Sequence, residues 1–283
     1  MNLEIAIKKA SNILKSKNIH SHELDAQVIL SDIMGVEREY LIANDEKKIS
    51  KKIIRKYISA IRRRKNREPV AYILGKKEFW SYDFLVNSNT LVPRVETELL
   101  IYKIINFYRN KKIKILDIGT GSGCILLTIL KELPLSEGVG IDISSGAIEI
   151  AKLNSKNLSL ESRSNFKISD IDKCNNSLKY DLIVSNPPYI PTANIKNLSK
   201  DITKYEPLIA LDGGIDGLDL IKKVIYKSSH LLKRNGLLAL EIGYNQYREV
   251  LRLLEKSKFK EICKEYDYNS NVRCIISTKL DNY

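Results

Sequence analysis

The run Asp181-Leu182-Ile183-Val184-Ser185-Asn186-Pro187-Pro188-Tyr189 puts an apolar segment directly against a polar, proline-stiffened one. Its first half is β-branched and continuous, the composition of a buried parallel strand. Pro187 and Pro188 donate no backbone N–H, so a ladder has to stop there. A residue before proline is pushed out of the helical region, which makes Asn186 and Pro187 extended. The result is a rigid turn with free carbonyls, closed by a tyrosine. Such a turn suits a planar NH2 group, whose nitrogen is a poor nucleophile because its lone pair is delocalised. Two acceptors that grip its two hydrogens hold the nitrogen and aim that lone pair at an electrophile. The Asn186 side-chain oxygen and the Pro187 carbonyl are two such acceptors, and Tyr189 supplies a flat face. Asn and Pro also do ordinary turn work at strand ends, so the turn alone decides nothing.

A second motif lies upstream. Asp117-Ile118-Gly119-Thr120-Gly121-Ser122-Gly123 sits where a strand passes into a helix. Glycines there bring backbone N–H groups close to a ligand, and the helix N-terminus favours a negative group. Asp142 follows at the end of the next strand, 23 residues after Gly119, where a carboxylate can accept from both hydroxyls of a ribose. A dinucleotide site asks for GxGxxG, but the third glycine comes early, at Gly123, with Cys124 behind it. A phosphate-binding Walker loop asks for Gly-Lys-Ser/Thr, which Cys124-Ile125 does not provide. The GxGxG form with an acid on the next strand fits S-adenosylmethionine. Ser169-Asp170-Ile171 after the third strand is expected at the adenine, with Asp170 as an acceptor for its amino group and Ile171 as an apolar wall. A plain turn is the competing reading for that trio.

These residues need a scaffold, and the periodicity supplies one. Helical spacing marks 2–17, a second helix opened by Ser21 and ended by Gly35, a short piece at 37–43 and a longer one at 50–65. From 68 to 94 the runs shorten around polar turns and read as a hairpin, with Trp80 as its core or as a partner surface. A helix over 94–109 follows. Strands at 112–118, 138–142, 166–168, 180–185 and 237–242 then alternate with helices, and runs at 259–267 and 272–278 read as an antiparallel edge. The fold class is therefore α/β, a doubly wound and mostly parallel sheet, with a small N-terminal all-helical domain. The domains divide as 1–73, helical; 74–93, hairpin linker; and 94–283, the sheet domain. In such a sheet ligands bind at the C-terminal strand ends where the order reverses, between the first and fourth strands. That sets the glycine loop and the Asn186 turn across one crevice.

The chain has 283 residues, 43% of them hydrophobic, and a net charge of +13. Residues 1–75 carry 16 Lys and Arg against 9 Asp and Glu, and the rest of the chain 31 against 25. This excess suits an acidic partner, although a Lys-rich genome gives the same composition. The run Arg62-Arg63-Arg64-Lys65 either contacts phosphates or is a solvated helix end. Cys124, Cys174, Cys263 and Cys274 have no CxxC spacing and read as reduced thiols. The histidines, His20, His22 and His230, form no metal-spaced cluster, which argues against zinc chemistry and against a nucleophile triad. No apolar run reaches the ~20 residues of a membrane span, and no signal pattern opens the chain. A cytoplasmic protein is expected, acting as a monomer.

Nearly the whole chain resembles the release-factor glutamine methyltransferase (HemK/PrmC) family. The resemblance rests on Asp117–Gly123 and Asn186–Tyr189. More specific are Glu68-Pro69-Val70-Ala71-Tyr72-Ile73-Leu74-Gly75, Glu78-Phe79-Trp80, Leu91-Val92-Pro93-Arg94-Val95-Glu96-Thr97-Glu98, and Tyr205-Glu206-Pro207 leading to Leu211-Asp212-Gly213-Gly214-Ile215-Asp216-Gly217-Leu218. It implies methylation of the amide nitrogen (N5) of the glutamine in the Gly-Gly-Gln tip of bacterial peptide-chain release factors. By the same resemblance Gly119, Thr120, Gly121, Ser122, Gly123, Asp142, Ile171 and Asn186 hold the cofactor. Asn186, Pro187, Pro188 and Tyr189 hold the glutamine, with Asn186, Pro187 and Tyr189 catalytic, and the helical domain docks the release factor. No metal and no direct contact with nucleic acid is required. The nearest rival is an adenine or guanine amino methyltransferase using the same turn. A rival of another class is a cofactor-binding regulatory module.

Overall fold

The structure is a computed structural model that describes residues 1–174 and 177–280. The chain forms two compact units. One is Met1–Lys76 together with Ser199–Tyr205, and the other is Lys77–Leu198 together with the chain from Glu206 onward.

The first unit packs α1 (Leu3–Lys15), α2 (His22–Met34), α3 (Arg38–Ala43), α4 (Lys51–Lys65) and α5 (Val70–Leu74) around Leu14, Ile29, Leu30, Leu41 and Tyr57. Of the two caps the sequence predicts, Ser21 and Gly35, the second acts as expected, and Ser50 adds a cap that the sequence did not single out. Ser50 accepts from the Ile53 N–H, and Gly35 ends α2 in the left-handed conformation at φ 65°. Ser21 does occupy the N-cap of α2, but its hydroxyl donates to Asp25 instead of capping the backbone. Residues 70–74 are helical, where the sequence suggested a β-type run. Five consecutive apolar residues carry no readable period, and Pro69 and Gly75 close them into one turn of helix. The Arg62–Lys65 run is partly internal. Arg63 pairs with Glu68, while Arg64, only 5% exposed, lies between Asp25 at 2.6 Å and Asp201 at 2.7 Å. Tyr205 completes this junction by donating to the Asn66 carbonyl. Ser199–Tyr205 thus belongs to the helical unit although it follows the Asn186 turn in sequence.

The second unit begins with the hairpin of β1 (Lys76–Phe79) and β2 (Tyr82–Leu85). Its two turn residues, Trp80 and Ser81, both have positive φ, 53° and 62°. Trp80 is held there by Glu98, which accepts from its backbone N–H, and by Glu132, which accepts from its indole. It packs on the sheet unit's own core, so the hairpin-core reading is the one observed. Then come α6 (Glu96–Tyr108), β3 (Lys114–Ile118), α7 (Cys124–Glu132), β4 (Glu137–Asp142), α8 (Ser145–Asn157), β5 (Ser164–Ile168) and β6 (Tyr180–Ser185); the next helix, α9 (Lys200–Tyr205), belongs to the helical unit. The chain finishes with α10 (Asp219–Leu231), β7 (Leu232–Glu241), α11 (Tyr247–Lys256), β8 (Phe259–Tyr266) and β9 (Val272–Lys279).

The sheet order is β5-β4-β3-β6-β7-β9-β8, with every strand parallel except β9, which runs antiparallel to both its neighbours. Its central strands alternate between two cores. Leu182, Val184, Leu237 and Ala239 face α6 and α7, while Ile183, Leu238 and Leu240 face α10 and α11. With both faces covered, those strands are apolar throughout, which is why they are legible as continuous runs. β3 and β6 are neighbours, and Ile118 at the end of one is paired with Ser185 at the end of the other. The strand order reverses between them, and there the two motifs meet. Among the described residues no helix is long and apolar enough to cross a membrane, and no His, Cys, Asp and Glu group suits a metal ion.

Candidate active site

A cavity of about 270 Å³ opens at this switch point. All of its lining residues belong to the sheet unit. Gly119, Thr120, Gly121, Ser122, Asp142, Ser169, Asp170, Ile171, Asn186 and Pro188 reach it, so most of the residues expected at a site share one wall. Gly123, Pro187 and Tyr189 do not. Gly123 is the N-cap of α7, and its Cα faces Leu127, Ala151 and Phe166 in the core.

The glycine loop is built to leave room. Gly119 and Gly121 have φ of 72° and 55°, and no atom lies within 4 Å of where a Cβ would stand at either. Positive φ and an open approach are what glycine supplies and other residues do not. Asp142 is fixed by two backbone donors, Gly121 N–H on Oδ2 at 3.0 Å and Ser144 N–H on Oδ1 at 2.9 Å. Each oxygen keeps a lone pair, so the carboxylate can still accept from a vicinal diol. Asp170 spends Oδ1 on capping the short turn at Ile171–Lys173, which leaves Oδ2 as the acceptor for an amino group. Ile171 is buried at 4% exposure.

Asp117 heads the glycine motif, but the sequence assigns it no role of its own. It is fully buried at the end of β3, under the loop. Oδ2 accepts from the Thr120 hydroxyl at 2.6 Å, while Oδ1 has no partner among the described residues. Burial, reinforced by the nearby Asp142 charge, pushes its carboxyl up to about 7 against the Thr120 bond. An unpaired buried carboxylate oxygen is costly unless something positive or protic comes to it.

The Asn186 turn is held from below. Ser185 donates to the Ile118 carbonyl at 2.7 Å and ties the ends of β6 and β3 together. Asn186 Nδ2 donates to Thr97 Oγ1 at 3.3 Å, and Thr97 donates to Glu241 Oε2 at 2.6 Å. No described residue donates to Asn186 Oδ1. Tyr189 points away from the cavity: its hydroxyl donates to Glu241 Oε1 and accepts from Arg273 at 2.8 Å, and the guanidinium lies 5.3 Å from the ring centroid. Burial and the Glu241 charge hold that hydroxyl well above its ordinary range, so it stays protonated. Its ring is therefore part of the support, whereas the sequence suggested a face for a planar ligand. Burial likewise raises Glu241, with Thr97, Arg273 and Tyr189 pulling the other way. The backbone beyond Tyr189 is fastened by Gln246, which donates to the Tyr189 and Gly217 carbonyls, and by a bridge from Ile190 to Asp212. Leu211–Leu218, prominent in the sequence, is thus the strip that pins the turn's exit. Arg94 bonds Glu206 at 2.6 Å, and that nearly buried carboxylate also accepts from Val92 N–H.

Chemically, one wall offers a diol acceptor, an open glycine loop and an apolar slot, and across from it stand Asn186 and Pro188. With the parallel sheet and its antiparallel β9–β8 edge, this defines a methyltransferase of the doubly wound α/β class. Residues 109–282 match a methyltransferase domain family, and residues 6–75 match the PrmC N-terminal domain. The chain belongs to the family of release factor glutamine methyltransferases. It is 36% identical to the enzyme of that name from Clostridium acetobutylicum, over 99% of each chain. To the one from Caulobacter vibrioides it is 36% identical, over 95% of this chain and 94% of that one. To the one from Buchnera aphidicola of Schizaphis graminum it is 38% identical, over 99% and 100%. Among solved structures it is similar to a methyltransferase from Pyrococcus furiosus (TM-score 0.52, 15% identity, 72% of this chain and 91% of that one). A ribosomal protein L11 methylase from Lactobacillus delbrueckii is comparable (0.50, 18%, 66% and 81%). At those identities the likeness concerns the fold.

Proposed function

We propose that this chain transfers a methyl group from S-adenosylmethionine to the side-chain amide nitrogen of the Gly-Gly-Gln glutamine in peptide-chain release factors. The observation that carries the reading is the joint lining of one cavity by Gly119–Ser122, Asp142, Ile171 and Asn186. The names of the full-length relatives support the protein substrate over a nucleobase. The cofactor's needs fit what is present. Its ribose matches the two free lone pairs of Asp142, its adenine the slot at Ile171 and Asp170, and its cationic amino group the orphaned Oδ1 of Asp117. Gly119, Thr120, Gly121 and Ser122 shape the cradle, and Gly123 starts the helix behind it.

The cofactor supplies an electrophilic methyl on a sulfonium. The protein supplies geometry. Asn186 Oδ1 and the Pro187 carbonyl accept from the glutamine NH2, Pro188 stiffens the turn, and Tyr189 anchors it to Glu241. The nitrogen forms its bond to the methyl carbon as the carbon–sulfur bond breaks, and the electron pair leaves with sulfur. The extra proton then passes to water, so no strong base is needed. Orientation and fixed dipoles provide most of the rate. The helical unit docks the release factor. The reaction asks for no nucleic acid and no second copy of the chain, and its setting is the cytoplasm.

Labelled cofactor offered with a release factor, DNA and RNA in parallel tests the reading. Label on the Gly-Gly-Gln peptide, located by mass spectrometry, is the expected result. Label on nucleic acid alone overturns it.

A further inference from the structure

The amide of an asparagine is nearly symmetric in shape, yet the clamp works only one way round. Oδ1 has to face the substrate NH2; with Nδ2 in that place, two donors would oppose each other. Something must therefore choose between the two orientations. Asn186 sits beside Thr97, and Thr97 sits beside Glu241, which is 1% exposed. A hydroxyl has one proton to give. At 2.6 Å from Glu241 Oε2, the Thr97 proton is committed to the carboxylate, and only lone pairs remain for Asn186. A neighbour that can only accept requires Asn186 to present its NH2. Oδ1 then turns to the opposite side, away from Thr97.

Glu241 can hold this direction because its other oxygen is served separately. Tyr189 donates to Oε1 at 3.3 Å, and Arg273 stands 3.8 Å from the same oxygen. Thr97 comes from α6, Glu241 from the end of β7, Arg273 from β9 and Asn186 from the end of β6. Three separate elements, α6, β7 and β9, thus stand in series behind an amide carried by a fourth.

We propose that Thr97 and Glu241 are positioning residues: a one-way hydrogen-bond relay from Asn186 through Thr97 to Glu241 that fixes which end of the Asn186 amide meets the substrate. The inference rests on the glutamine methyltransferase reading and adds to it a reason for residues that touch no reacting atom.

The deciding experiment measures methyl transfer to a release factor with wild type, Thr97→Val, Thr97→Ser and Thr97→Val in an Asn186→Ala background. Cofactor affinity is measured for each by calorimetry. Thr97→Val keeps the shape and removes the hydroxyl; kcat should fall about 10- to 100-fold with cofactor Kd changed less than about twofold. Thr97→Ser should restore most of the rate. In the Asn186→Ala background Thr97→Val should cost nothing more, because the relay has no amide left to orient. If Thr97→Val fails to bind cofactor, Thr97→Ala, which introduces no bulk, is read by the same two measurements. A Thr97→Val or Thr97→Ala enzyme with wild-type kcat overturns the relay. So does a full additional loss in the Asn186→Ala background. Absence of release-factor methylation by wild type would sink the functional reading itself, which keeps the two failures apart.

Discussion

Asn186 carries the sharpest expectation. Replacing it with Ala removes an acceptor aimed at the reacting nitrogen and leaves the fold untouched, since its one protein bond is a half-buried contact to Thr97. Turnover should fall about 10²- to 10³-fold with an unchanged melting temperature; near-normal methylation by this variant would remove the clamp from the mechanism. Asp117 gives a pH signature. Its carboxyl titrates near 7 in the folded chain, against an ordinary value of 3.8. The folded state therefore holds a proton that the unfolded state has lost, so this group's contribution to stability is greatest below the ordinary value and is lost as pH rises toward 7. Binding a cationic cofactor runs the other way, because only the ionised form attracts it. Cofactor affinity should climb through neutrality and level off above it, with pH 6 about tenfold below the plateau, and Asp117→Asn should abolish the slope. Calorimetric titration from pH 6 to 8.5 checks both. What could be read at this level without coordinates was whatever lay within one stretch: the Asn186 turn, the glycine loop, Asp142. Thr97, Glu241 and Arg273 lie far from Asn186 in sequence, and no local pattern marks a carboxylate buried at the end of an apolar strand.

The elements were largely legible for a physical reason. A parallel strand covered on both faces is a plain apolar run, and an amphipathic helix shows its period, so β3 to β7 and the longer helices stand out. The site's location followed from the order of those strands, and β3 lies next to β6 as a doubly wound sheet requires. Short pieces were not legible. The five residues of α5 and the turns between 192 and 210 are too short to show a period, and part of that stretch is held by contacts made elsewhere in the chain, such as Asp201 with Arg64. The hairpin turn is a further case. Two-residue turns with both φ positive favour Asn-Gly, and nothing in Trp80-Ser81 announces one. Trp80 is held by Glu98 and Glu132, so the conformational cost at Ser81 has no such compensation. Ser81→Gly should relieve about 1 kcal/mol and raise the melting temperature of the sheet unit by about 2–4 °C, read by thermal denaturation. An unchanged or lowered midpoint would show that Ser81 bears no penalty there.

For the chain entire, charge is the feature composition reports and structure refines. The excess of lysine and arginine is not all surface, because Arg64 is spent inside the helical unit on Asp25 and Asp201. Removing one partner leaves a buried guanidinium short of its counter-charge. Asp201 is only partly buried, so Asp201→Ala should lower the stability of the helical unit by about 1–3 kcal/mol and leave cofactor affinity as it was. Chemical denaturation followed by probes in each unit, with calorimetry for the cofactor, tests this. Equal destabilisation of both units would contradict the assignment of 199–205 to the helical one.

That assignment constrains how such a chain can be recombined. The helical unit is stitched from two stretches separated by more than a hundred residues, and its second stretch is borrowed from the far side of the clamp turn. Cutting at a single point after residue 76 would therefore remove an incomplete module. A chimera given a foreign helical unit should fold well only when the donor's counterpart of 199–205 travels with it, and a match at Arg64 and Asp201 is the simplest guide to which donors are compatible.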